Sequence, residues 1–246
     1  MKLSVVIPVF NEKENIIACY DELVKCFESK LPEKKYDYEI IFSNDGSKDG
    51  CIELLEKYVE DKSLEHGKVI IHNEKVNSGK GKAVRLGVLD SSGDIIVYTD
   101  CDLAYGVDII VEMLEKFQSG NADILLGSRA ISQDGYSGYG FMRKLASKTY
   151  LKLLSFFAGF KHSDSQTGLK MFKGERGRKA FALCEVNGWA FDLEFLMISE
   201  KMGAVIEEYP VRIINHKKSK IKLVSDSLKM LRDVRMIKRR VKKLNV

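Results

Sequence analysis

Short apolar runs alternate with helix-patterned stretches through the first half of the chain, and that alternation limits the fold more than any other feature. The runs fall at Leu3 to Val9, Tyr38 to Ser43, Val69 to His72, Asp94 to Thr99 and Asp123 to Leu126. The first is almost wholly apolar and β-branched, as suits a strand buried on both faces. Helices are predicted between them. One runs from Asn11, a candidate N-cap followed by Glu12 and Glu14, to about Glu28. A second follows the turn Asp45-Gly46-Ser47 and reaches about Glu60; others cover Gly79 to Leu89 and Val107 to Phe117. Strict alternation of this kind gives an α/β fold, a parallel sheet with helices on both faces. Ligands of such sheets sit beyond the carboxyl ends of the strands. Polar motifs occupy those places: Asn11-Glu12 after the first run, Asn44-Asp45 after the second, Asp100-Cys101-Asp102 after the fourth.

After Gly127 the texture changes. Ser128 to Gly140, rich in Gly, Ser and Tyr, reads as a mobile loop. Phe141 to Phe160 reads as a helix ending in Phe156, Phe157 and Phe160; it carries Arg143, Lys144, Lys148 and Lys152, which suits either a membrane interface or ordinary packing on the sheet. Gly168 to Lys173 is a predicted strand and Phe191 to Met202 a helix. Val205 to Ile214 is extended, with Pro210 pointing to a sheet edge. A last helix, about Leu223 to Leu244, puts Val224, Leu228, Leu231, Val234, Ile237, Val241 and Leu244 on one stripe with basic residues around it. The expected division is residues 1–222 as one domain, with a nucleotide-binding half at 1–127 and an acceptor-binding half at 128–222, followed by a basic amphipathic helix at 223–246.

Charge is polarised. From Arg212 onward thirteen Lys or Arg face only Asp226 and Asp233, a net +11; the whole chain carries +5, so the first 211 residues carry −6. A basic end of this kind can meet nucleic acid or an anionic membrane, form a dimer, or simply be a solvated face. The five cysteines (Cys19, Cys26, Cys51, Cys101, Cys184) are odd in number and lack a Cys-x-x-Cys pair, and the four histidines are scattered. Both facts argue against a disulfide framework and a structural zinc site. No run nears the roughly 18 apolar residues of a membrane span, and the chain enters a strand at once, without room for a secretory signal. The expectation is a cytoplasmic protein.

Two motifs carry chemistry. Thr99-Asp100-Cys101-Asp102 sets two carboxylates at the end of an apolar strand. Oxygen ligands there suit Mg²⁺ or Mn²⁺ shared with substrate phosphates; the plain alternative is a polar turn. Asn77 to Gly87 combines glycines, Lys80, Lys82 and a helix N-terminus, a site for a phosphate. It lacks Walker A spacing, and no Gly-x-Gly-x-x-Gly follows the first strand, which demotes nucleoside-triphosphatase and dehydrogenase readings.

Taken in order, Val5 to Glu12, Asn44 to Gly50, Asn77 to Gly87 and Asp100-Cys101-Asp102 resemble glycosyltransferase family 2, which has the GT-A fold. Gly127-Ser128-Arg129, Asp164 to Phe172 and Trp189 to Glu194 sharpen the likeness to its polyprenyl-phosphate sugar transferases, nearest the dolichyl-phosphate β-glucosyltransferases. The resemblance runs from Leu3 to about Leu223. It implies a mostly parallel Rossmann-like sheet and an inverting, metal-dependent enzyme. That enzyme would move a hexose, glucose, from UDP-glucose to dolichyl or undecaprenyl phosphate, peripheral on the cytoplasmic face of a membrane, with no nucleic acid involved. It implies Pro8, Glu12 and Asp45 at the base and ribose, Lys80 and Cys101 near the nucleotide, and Asp100 and Asp102 on the metal. Arg129 would face phosphates, Asp164 would act as base or acceptor-positioning group, and Arg143, Ser147, Asp192 and Lys220 would serve the acceptor. The alternatives are transfer to a glycan or protein hydroxyl, and a mannose synthase-like enzyme using GDP-mannose. Two departures stand out: the usual Asp-Asp-Gly-Ser reads Asn44-Asp45-Gly46-Ser47, and Ala104 replaces the Gln that mannose synthases often carry.

Overall fold

A computed structural model describes residues 1–31, 36–135, 161–215 and 223–246, without the side chains of 223–231. Among the described residues, seven strands form one sheet. In chain order the elements are β1 (Lys2–Val9), α1 (Ile16–Lys30), β2 (Asp37–Asp45), α2 (Cys51–Val59), β3 (Gly67–Glu74), α3 (Lys80–Asp90), β4 (Ile95–Thr99), α4 (Asp108–Ser119) and β5 (Ile124–Ser128). Then come β6 (Leu169–Lys173), α5 (Gly174–Ala182), α6 (Phe191–Lys201), β7 (Ile206–Pro210) and α7 (Leu223–Lys243). The strand order is β3-β2-β1-β4-β6-β5-β7. All neighbours pair parallel except β6, which is antiparallel to both β4 and β5.

Alternation along the strands builds two cores. Leu3, Val5, Ile7 and Val9 of β1 face one side with α1, α2 and α4, while Val6 faces the other with α3, α5, α6 and α7. In β4, Ile95 and Val97 join the first core and Ile96 and Tyr98 the second. In α1 the buried residues Ile16, Cys19, Tyr20, Leu23, Cys26 and Phe27 recur at helical spacing. All five cysteines are buried and free. The chain builds outward from β1 to β3, then returns to set β4 on the other side of β1. That reversal opens a crevice at the carboxyl ends of β1 and β4.

Three local expectations are corrected. Asn11 is not the cap of the first helix: at φ +53° it sits in the left-handed region, its N–H donates to Ser47 Oγ and its Oδ1 accepts from Lys48 N, so it ties β1 to the turn after β2. The helix starts at Ile16, beyond a turn in which Glu12 O accepts from the Asn15 and Ile16 amides. α5 has no counterpart in the pattern, because its text, Gly174-Glu-Arg-Gly, looks like a loop; a Cβ at Gly177 would strike the Phe172 ring, so glycine there serves packing. The strand at Leu169 runs against its neighbours, which alternation alone cannot signal. Pro210 does close an edge strand. The helix expected over Phe141 to Phe160 lies outside the described residues, as do residues 136–140 of the loop expected before it.

Candidate functional site

The site forms where β1, β2 and β4 end. Asp45 closes β2, is 5% exposed, and accepts from Asn77 Nδ2 (2.8 Å), Ser78 N (2.7 Å) and Gly79 N (2.9 Å). Burial raises its carboxyl above the ordinary range, more than these amides lower it. The amide of Gly81 donates to Asn187 O at 2.7 Å. The phosphate cradle expected over Asn77 to Gly87 is therefore corrected: the amides of Ser78, Gly79 and Gly81 already have acceptors, and a protein carboxylate holds the anion's place at the positive end of α3. The glycines also have another cause. A Cβ at Gly79 would strike Asn187 O, and one at Gly81 would strike Val186 O, so they admit the 186–187 backbone.

Asn44, where the resemblance expects Asp, has a structural reason. Its Nδ2 donates to Asn73 Oδ1 (2.8 Å) and Glu74 O (3.2 Å), and its Oδ1 accepts from Ser47 N. A carboxylate could not donate those two bonds. Pro8, half-buried, pairs in register with Ser43, and Glu12 Oε2 accepts from Asn15 Nδ2.

Asp100 and Asp102 lie on the turn after β4. Lys80 Nζ sits 2.5 Å from Asp100 Oδ1, and 5.6 Å from the Trp189 ring centroid. Burial would lower the Lys80 ammonium, but Asp100, Asp192 and Asp102 together raise it. Asp102 Oδ1 accepts from Ala104 N at 3.1 Å; burial and then the Asp100 charge raise its carboxyl. Gly168 leaves room for Asp100, since a Cβ there would meet Asp100 Oδ2. The turn continues through Leu103 at φ +46°, held by Asn215 Nδ2 on Leu103 O and by the amides of Ile214 and Asn215 on Ala104 O. Cys101, expected beside the nucleotide, is corrected: its thiol turns into the core, where the hydrogen bond with Cys19 and burial push it up.

Below this pair is a network that the sequence reading did not assemble. Lys170 is fully buried in β6 and donates to Asp192 Oδ1 (2.6 Å) and Thr167 O (2.7 Å). The Tyr98 hydroxyl donates to the same Asp192 oxygen. Burial drives the Lys170 ammonium below its ordinary value despite Asp192, and drives Tyr98 well above. A lone charge within the apolar run Leu169 to Phe172 was the available signal. Next to it, Arg129 Nε and Nη2 donate to Asp164 at 2.7 and 2.9 Å, and neither residue is more than 8% exposed. Burial would raise Asp164, but Arg129 and the surrounding hydrogen bonds hold it below the ordinary carboxylate range. Of the predicted set, Lys80, Asp100, Asp102 and Asp192 meet in one cluster with Arg129 and Asp164 beside it. Arg143, Ser147 and Lys220 lie outside the described residues.

Two adjacent carboxylates, one of them under a lysine ammonium, have the donor chemistry of a hard divalent cation, with the ammonium as stand-in charge. Among the described residues no three His, Cys, Asp or Glu side chains gather as ligands. An ion here would need further oxygens from a bound substrate.

Comparison with known proteins bears on family and fold. Residues 4–175 match the model of Glycosyl transferase family 2. A dolichyl-phosphate beta-glucosyltransferase of Drosophila melanogaster is 31% identical over 96% of this chain and 74% of that protein. Those of Dictyostelium discoideum and Homo sapiens are each 29% identical, over 94% and 97% of this chain and 72% and 75% of theirs. Among solved structures, glucosyl-3-phosphoglycerate synthase of Mycobacterium tuberculosis, in complex with Mn²⁺, UDP and glucosyl-3-phosphoglycerate, superposes with TM-score 0.70 at 17% identity, covering 96% of this chain and 79% of that one. That likeness carries the fold, which is GT-A.

Proposed function

The chain belongs to glycosyl transferase family 2, and from that premise we propose that it moves glucose from UDP-glucose to the phosphate of a polyprenyl lipid, dolichyl or undecaprenyl phosphate. The observation that carries this reading is the identity of about 30% with dolichyl-phosphate β-glucosyltransferases along more than nine-tenths of the chain.

The reaction is one displacement. An oxygen of the lipid phosphate attacks the anomeric carbon from the face opposite UDP; the new carbon–oxygen bond forms as the bond to the β-phosphate breaks, and configuration inverts. The second pKa of a phosphate monoester is roughly 6, so the nucleophile is ionised near neutrality and needs no base. Asp164, tied to Arg129, then shapes the acceptor loop and does not take a proton. What the leaving diphosphate needs is opposing charge, aimed and desolvated. Lys80 provides part of it. Asp100 and Asp102 would hold Mg²⁺ or Mn²⁺, which when bound supplies Lewis-acid neutralisation of the diphosphate. Pro8, Glu12 and Asp45 border the base and ribose. Asp192, through Lys170, fixes the floor beneath the sugar, and Arg143, Ser147 and Lys220 serve the acceptor phosphate.

No helix among the described residues is long and apolar enough to cross a membrane. We place the chain peripherally on the cytoplasmic face of a membrane, a reading that the lipid acceptor and the exposed basic side chains of α7 support; an α7-mediated homodimer is the competing use of that helix. Incubation with radiolabelled UDP-glucose, Mg²⁺ and dolichyl phosphate should move label into the organic phase. An organic phase without label, for UDP-glucose and every other sugar nucleotide tried, rejects the assignment.

A further inference from the structure

The positive end of α3 is occupied by Asp45, and the Gly81 amide by Asn187 O. A donor diphosphate must find its protein cation elsewhere. Within the cluster Lys80 is the cation nearest the paired acids: its side chain is 17% exposed, and its Nζ lies 2.5 Å from Asp100 Oδ1. Asp100 lies over Gly168, where a Cβ would strike its Oδ2, and the long lysine stem gives Lys80 the reach to leave it for a neighbouring anion. The carboxylate a divalent cation needs is therefore capped by the group a diphosphate needs.

We propose that Lys80 is an exchangeable counter-ion, paired with Asp100 while the donor is absent and transferred to the donor's diphosphate as a divalent cation takes over Asp100. The inference rests on the donor reading above and adds a consequence to it. Metal alone must displace an ammonium and leave Lys80 with only the Asp192 charge, which Lys170 and Tyr98 already engage. Diphosphate alone meets two carboxylates and a lysine already engaged. Together, each ligand compensates the charge the other uncovers, so metal and nucleotide bind as a pair. Coupling of this sort is reciprocal.

The test follows free Mn²⁺ by its electron paramagnetic resonance signal, with the full chain, with and without UDP. Lys80→Met keeps the apolar stem beside Trp189 and removes the charge; Lys80→Gln is the second variant should the first fail to fold, which unliganded melting curves report. Without UDP, the Met variant should bind Mn²⁺ about tenfold more tightly than the parent, within the 5–150-fold range usual for coupled sites. UDP should strengthen Mn²⁺ binding in the parent by about the same factor or more and do so less in the variant. Equal or weaker Mn²⁺ binding by the variant without UDP overturns the exchange, as does an undiminished UDP effect. A parent chain that retains no UDP with Mn²⁺ rejects the donor reading instead, while the Mn²⁺-alone comparison still decides whether Lys80 competes for Asp100.

Discussion

Asp164 has no exposed surface, and its oxygens accept two parallel bonds from Arg129. That geometry favours a loop-fixing role over proton transfer, and the two roles separate by pH. Its folded-state pKa lies below the ordinary value of 3.8, so the pair's contribution to stability is complete above that value and is lost as pH falls beneath it. Asp164→Asn leaves Arg129 buried beside an amide that can donate toward it. At neutral pH the variant should lose about 3 kcal/mol, read by urea unfolding, because breaking a buried pair strands a charge. The gap to the parent should close in acid. A variant as stable as the parent at neutral pH but without turnover would return Asp164 to the role of base. At this scale the sequence was legible where a motif's chemistry is local. Asp100 and Asp102 could be found because they follow an apolar strand. Gly79 and Gly81 misled because their cause, the backbone at 186–187, lies a hundred residues away. Asp192 was named for the acceptor, but its partner Lys170, a charge in an apolar run, was not singled out.

At the level of elements, and among the described residues, apolar runs and helical periodicity located most strands and helices to within about five residues. It failed at α5, whose glycines imitate a loop, and at the direction of β6, which depends on where the chain returns after residue 128. α7 is an instructive intermediate. Val234, Ile237 and Val241 are buried against the core that includes Ile198 of α6, so this part of the predicted stripe packs inward. Two polar clamps hold the same joint. Lys201 Nζ donates to Val241 O and Lys242 O, satisfying carbonyls at the helix end, and Arg240 bonds Glu194 and Leu183 O. Glu194 is 1% exposed, and burial raises its carboxyl against Arg240 and the Val186 and Glu185 amides. Arg240→Met removes the cation from that pocket. It should cost roughly 2 kcal/mol, less than a fully buried pair because two amides still solvate Glu194. Hydrogen exchange across 232–243 should quicken correspondingly. Unchanged protection there would mean that the apolar face alone holds the helix.

For the whole molecule the decisive feature is charge separation, +11 from Arg212 onward against −6 before it. With Val234, Ile237 and Val241 of α7 engaged, Arg232, Arg239, Lys242 and Lys243 remain as exposed basic groups around them. An anionic leaflet would attract that end and repel the body, orienting the chain as well as binding it. Attachment of this kind has a defined salt dependence, since the Debye length falls from about 10 Å at 0.1 M to 3 Å at 1 M. The chain should sediment with vesicles containing phosphatidylserine, not with phosphatidylcholine alone, and should release in 1 M salt. Replacing those four residues with Gln removes up to about 1 kcal/mol each near the surface, so partitioning should fall by two to three orders of magnitude. The melting temperature should hold, because none of the four is buried. Binding that survives both 1 M salt and the fourfold variant would be apolar, and would have to come from a segment other than this face of α7.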